Sequence, residues 1–127
     1  MHNTFISVIG VIHQKYDLDQ LSIYLEGLFP ILEANFSDYE IILVNNVPEW
    51  RIDDAIAPLL PALKKQIYLI QLSSRTNKNH AILAGLDRAN GDYTVIFETI
   101  FADQPEVILE LFAKSQEQYD VVYLRAR

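Results

Sequence analysis

Several polar residues stand directly behind apolar runs, where a sheet would present them together. Glu98 follows the run Asp92–Phe97, and Asp103 lies five residues further on. A carboxylate so placed can give oxygen to a divalent cation, and Mg²⁺ commonly takes one or two carboxylates along with substrate phosphates. Asp103 can also serve as the N-terminal cap of the helix that Pro105 begins. Arg75 and Lys78 put two cations near the start of another helix. Free N–H groups and the helix dipole favour anions such as phosphate there, although a solvated basic loop has the same composition. Asn45 and Asn46 end the run Glu40–Val44. Their amides can donate and accept hydrogen bonds to a ligand, or simply turn the chain. His13 closes the first apolar run, either as a ligand contact or as a solvated loop residue.

The elements that must position these residues follow from hydrophobic periodicity. Phe5–Ile12 is continuous, apolar and β-branched, so it reads as a strand buried on both faces. Asp17 and Gln20 have capping-box spacing at a helix start. Leu18, Leu21, Leu25, Leu28 and Leu32 form one helical stripe, with a kink or early end expected at Pro30. Glu40–Val44 is the second strand and Asn45–Asp54 a loop. Ala55–Lys65 is weakly helical and broken by Pro58 and Pro61. Ile67–Leu72 is the third strand. Lys78–Ala89 is a helix burying Ile82, Leu83, Leu86 and Ala89, and Asn90-Gly91 offers a left-handed stop. Asp92–Phe97 is the fourth strand. A helix burying Val107, Ile108, Leu111 and Phe112 leads to a fifth strand at Asp120–Leu124. Strands alternating with helices predict a three-layer, Rossmann-like α/β domain with a mainly parallel sheet of about five strands. Ligands in such sheets bind beyond the carboxyl ends of the strands. Those ends are the loops His13–Tyr16, Asn45–Trp50, Ser73–Asn79 and Glu98–Gln104.

Composition narrows the function. The length of 127 residues fits one domain, residues 1–127, and half the residues are hydrophobic. The net charge of −7 argues against nonspecific nucleic-acid binding and against attachment to anionic lipid. The chain contains no cysteine, which excludes disulfides, a thiol nucleophile and thiolate metal sites. No apolar run is long enough to span a bilayer. The N-terminus lacks a basic leader, so a cytoplasmic location is expected. With only 4 glycines there is no glycine-rich phosphate loop. Gln14-Lys15 stands where a receiver-like domain would cluster acids.

The segment AILAGLDRANGDYTVIFETIFADQPEVILELFAKSQEQYDVVYLRAR resembles the middle of a family-2 glycosyltransferase. Such inverting enzymes of GT-A fold take a sugar from a nucleotide diphosphate, as polyprenyl- and dolichyl-phosphate sugar synthases do. In that family the strand ending here at Phe97 runs into Asp-x-Asp, which holds Mg²⁺ or Mn²⁺ against the diphosphate. This chain has Glu98, Thr99, Ile100. The resemblance therefore makes Glu98, with Asp103, the candidate metal ligands, and puts a hydrocarbon in place of the second carboxylate. The family's Pro-Val-Tyr-Asn-Glu, which packs round the base, corresponds to Gly10, Val11, Ile12, His13 and Gln14. Val11 matches, and His13 could hydrogen-bond a base. Asp-Asp-Gly-Ser corresponds to Asn45, Asn46, Val47 and Pro48, which lack its charge and its glycine. Arg-Asn-x-Gly corresponds to the segment from Arg75, which matches, and Lys78 adds a second cation.

The resemblance implies binding of a nucleotide diphosphate sugar in cell-surface glycan synthesis. Weak or absent metal-dependent nucleotide binding is expected, because a site this lean loses much with one ligand. Family members continue into an acceptor half that supplies a general base, and the resemblance ends at Arg127. Transfer by this chain alone would then lack a positioned base, so no catalytic residue is assigned. A noncatalytic assembly domain on the same scaffold is the alternative. Trp50, Ile100 and Phe101 fall in the ligand loops. Either they form an apolar surface for a second copy or a partner glycan-synthesis protein, or Ile100 and Phe101 fold inward and fill the vacated pocket.

Overall fold

A computed structural model describes residues 2–57, 64–115 and 121–123. Strand β1 (His2–Ile12) leads to helix α1 (Lys15–Asp19) and helix α2 (Leu21–Asn35). Strand β2 (Phe36–Asn45), short helix α3 (Ile52–Ile56) and strand β3 (Ile67–Gln71) follow. Helix α4 (Lys78–Arg88), strand β4 (Tyr93–Ile96), helix α5 (Val107–Ser115) and strand β5 (Val121–Tyr123) complete the order. The five strands form one sheet in the order β3-β2-β1-β4-β5, and every pairing is parallel. The expected α/β architecture is therefore present.

Burial on both faces shows why these runs are strands. Ile6, Val8 and Ile12 of β1, with Ile41 and Leu43 of β2, face a core shared with α2, α3 and α5. Ile9 and Val11, with Ile42 and Val44, face the opposite core, built on Ala81 and Ile82 of α4. The alternation has the two-residue period of a pleated strand. The two cores make the three layers.

The side on which successive strands are added switches at β1. The strands after it build outward through β2 to β3, and the chain then returns to place β4 on the other side. The crevice at such a switch point opens at the carboxyl ends of β1 and β4. Tyr24 of α2 braces that end. It is fully buried beneath Gly10, and its hydroxyl donates to the Phe97 carbonyl at 2.6 Å. A Cβ at Gly10 would lie 2.7 Å from the Tyr24 oxygen, so the glycine is needed for this close approach. The other end of the sheet is tied by Ser7. Its hydroxyl donates to Glu40 at 2.6 Å and accepts from the Gly91 N–H at 2.8 Å.

Some local expectations are corrected. β1 begins at His2 and β2 at Phe36, both earlier than predicted. The first helix divides at Gln20, so Leu18 belongs to α1, and the buried stripe of α2 is Leu21, Tyr24, Leu25, Leu28 and Leu32. Asp17 lies inside α1, and its carboxylate accepts from the N–H groups of His13 and Gln14 at 2.9 and 3.0 Å. α2 continues past Pro30 to Asn35. The loop expected over Asn45–Asp54 contains the start of α3. The Pro58 and Pro61 region lies outside the described residues, as do Asp120 and Leu124. Leu83 is 54% exposed, and Gly85 is buried in α4 instead. No described residue has positive φ, so the stop at Asn90-Gly91 needs no left-handed conformation. α5 begins at Val107, too far along for Asp103 to cap it.

Candidate functional site

Four loops at the carboxyl ends of the strands bring most of the candidate residues together. Asn46 follows β2, is fully buried, and connects three of these loops. Its N–H donates to the Ile12 carbonyl at 2.8 Å. Its side-chain oxygen accepts from the Thr76 N–H at 3.0 Å, and its Nδ2 donates to the Thr76 carbonyl at 2.7 Å. The same Nδ2 lies 2.9 Å from His13 Nδ1. Asn45, also fully buried, donates to the Trp50 carbonyl and to Gln71 Oε1, and accepts from the Val47 N–H at 3.0 Å. Both amides are thus engaged by the protein itself and hold the loop ends in place.

The charged groups stand on this frame. Arg75 Nη2 lies 3.3 Å from His13 Nε2. Lys78, at the first position of α4, forms an ion pair with Glu98. The Glu98 side chain is only 12% exposed. A cleft of about 180 Å³ opens beside the pair, lined by Gln14, Tyr16, Asp17, Lys78, Glu98, Thr99 and Ile100. Asp17 holds its far wall by accepting a hydrogen bond from the Thr99 hydroxyl. A larger cleft, of about 410 Å³, lies beside Trp50 and Leu69 and includes none of the candidate residues.

Of the candidate site residues, only Lys78 and Glu98 line the smaller cleft. Val11 is buried in the core against α4. Asp103 is exposed on the turn before α5 and does not line the cleft. Trp50 and Phe101 pack against the main core, with the Phe101 ring 6.2 Å from that of Phe97, whereas Ile100 is exposed. Of the two residues expected to fold inward, Phe101 does so and Ile100 does not. Asp17, Thr76 and Thr99 belong to the site without being marked as such by residue type and spacing. Asp17 carried a signal in its helix-start position, but nothing in the sequence pairs Thr76 with Asn46 across thirty residues.

Burial and the neighbouring Arg75 cation hold the His13 imidazole below its usual value of 6.5. Asp17 opposes the shift and Lys78 adds to it. Folded His13 then binds fewer protons than unfolded His13. Its contribution to stability is complete above pH 6.5 and is lost as pH falls below that value towards the folded pKa. Histidine NMR should therefore give a His13 midpoint below 6.5, and Arg75→Ala should raise it. A midpoint above 6.5 would contradict this electrostatic picture.

The glycosyl transferase family 2 profile matches residues 24–127. The chain belongs to glycosyl transferase family 2. It is 32% identical over 119 residues to an uncharacterized glycosyltransferase of Synechocystis sp., covering 92% of this chain and 36% of that protein. It is 33% identical over 118 residues to an undecaprenyl-phosphate 4-deoxy-4-formamido-L-arabinose transferase of Enterobacter sp., covering 91% of this chain and 34% of that protein. The chain thus spans about a third of the length of these curated relatives. In fold it is similar to a mannosyltransferase of Pyrobaculum calidifontis solved with GDP-Man and Mn²⁺, with a TM-score of 0.58 at 16% identity. That match covers 78% of this chain and 28% of the mannosyltransferase.

Among the described residues of this family 2 chain, the donor set at this position does not fit a divalent metal. Glu98, the one carboxylate at the family's metal position, is paired with an ammonium. Ile100 offers no oxygen. Among the described residues, no group of three His, Cys, Asp or Glu side chains could hold an ion. Among the described residues, no helix is long and apolar enough to cross a membrane.

Proposed function

We propose that this chain is the donor-binding part of an inverting glycosyltransferase in cell-surface glycan synthesis, and that it transfers no sugar by itself. The observation that carries this reading is the convergence of His13, Asn46, Arg75, Lys78 and Glu98 at the carboxyl ends of the strands. Cations and hydrogen-bond donors gathered at a switch point suit the diphosphate of a nucleotide sugar. The similarity to an undecaprenyl-phosphate sugar transferase supports the assignment to glycan synthesis. Inactivity follows from the state of the carboxylates. Asp17 accepts three hydrogen bonds, and Glu98 is held by Lys78. Neither carboxylate lining the cleft is free to deprotonate an attacking hydroxyl.

The test uses UDP- and GDP-sugars with the sugar radiolabelled and a polyprenyl phosphate as acceptor. The expected result is donor binding, seen by saturation-transfer NMR, with no labelled lipid product. Turnover by the purified chain would refute the inactive state. Failure to bind any nucleotide sugar would refute the donor-binding assignment.

A further inference from the structure

Among the described residues, the donors at the mouth of the site have no acceptor between them. Asn46 has its amide orientation fixed by Thr76, since reversing the amide would break the bonds to both the N–H and the carbonyl of Thr76. Its Nδ2 therefore presents its second hydrogen to His13 Nδ1 at 2.9 Å. Nδ1 must accept, so the proton of the neutral ring is on Nε2. That Nε2–H faces Arg75 Nη2 at 3.3 Å, and a guanidinium has only donors. Two donors converge there, and the nearby carboxylates are engaged elsewhere: Asp17 with His13 N–H, Gln14 N–H and the Thr99 hydroxyl, Glu98 with Lys78. The missing partner is an anionic oxygen.

We propose that a diphosphate oxygen completes this arrangement by accepting from His13 Nε2–H and Arg75 beside Lys78, and that the site binds the diphosphate without a divalent cation. The proposal rests on the nucleotide-sugar reading above and adds its charge chemistry. A family 2 site with Asp-x-Asp gathers negative charge and needs a metal to turn it towards the phosphates. Here Ile100 removes one of those charges, and the ammonium of Lys78 already neutralises Glu98. The Lys78 side chain is 40% exposed, so its flexible stem leaves the ammonium accessible to an incoming anion. Arg75 is exposed and offers a planar fork suited to phosphate oxygens.

The experiment is calorimetric titration of the chain with a UDP-sugar, a GDP-sugar and inorganic pyrophosphate, first in EDTA and then with Mn²⁺. Binding is expected in EDTA for pyrophosphate and at least one nucleotide sugar, with Mn²⁺ changing the affinity by less than about twofold. Arg75→Ala and Lys78→Ala should each weaken metal-free binding by about tenfold or more, the scale of a lost charge-assisted hydrogen bond. Native amide NMR spectra of both variants would show that the fold is kept. Binding that appears only with Mn²⁺ would overturn the proposal and leave the nucleotide-sugar reading standing. Absence of binding in both conditions, by a folded protein, would overturn both.

Discussion

Tyr24→Ala is expected to destabilise the fold by about 3–5 kcal/mol, the range for removing a large aromatic side chain from a packed core. The ring is fully buried, and its centroid lies 5.6 Å from that of Phe97. Tyr24 fills the space that Gly10 leaves free, so truncation creates a cavity between α2 and β1 that the backbone cannot close. Burial raises the phenol pKa far above its usual range, and the group stays a donor at every physiological pH. Tyr24→Phe isolates the hydroxyl, and its expected cost is about 1–3 kcal/mol, since the Phe97 carbonyl loses its buried partner. Domains of this size have only about 5–15 kcal/mol of stability in total. The alanine variant should therefore unfold at a much lower urea concentration. A loss below about 1 kcal/mol for Tyr24→Ala would contradict the packing described. Tyr24 also matters to the site, because Phe97 immediately precedes Glu98.

Much of this architecture is legible in the sequence for a physical reason. Strands buried on both faces are apolar nearly throughout, as Ile41–Val44 is and as Ile6–Ile12 is apart from the buried, hydrogen-bonded Ser7. Helix faces are less legible. In α4 the pattern points to Leu83, yet the helix lies so close to the sheet that a Cβ at Gly85 would come within 2.8 Å of Ile9. Close approach selects a small residue, and a hydrophobicity pattern cannot show that. Helix starts are ambiguous in a similar way. Asp17 had the right residue type for the beginning of a helix, but its carboxylate reaches back to His13 and Gln14 rather than forward.

The site was legible in its residue types and not in its pairings. His13, Asn46, Arg75, Lys78 and Glu98 all stand out behind strands or beside a helix start. That Asn46 is tied to Thr76, and Lys78 to Glu98, depends on strand order. β1 separates β2 from β4, and the loops from both sides meet over its end. Local sequence carries no record of such a meeting. The apolar loop residues divide for the same reason: Phe101 has the Phe97 ring to pack against, and Ile100 is left exposed at the cleft.

The role of Glu98 is the centre of this account. If Glu98 is the counter-ion of Lys78 and not a metal ligand, its charge opposes the binding of a diphosphate. Glu98→Gln keeps the shape of the side chain, removes that charge and leaves the Lys78 ammonium free for the ligand. A partly exposed ion pair is worth up to about 1 kcal/mol. A metal ligand behaves in the opposite way, since its neutral amide holds Mn²⁺ poorly and carries the nucleotide away with the metal. The decisive measurement is the affinity of Glu98→Gln for UDP- and GDP-sugars in the presence of Mn²⁺, set against the unaltered chain. This account predicts affinity that is unchanged or as much as about fivefold tighter. A loss of about tenfold or more in a natively folded variant would contradict it and establish Glu98 as a metal ligand.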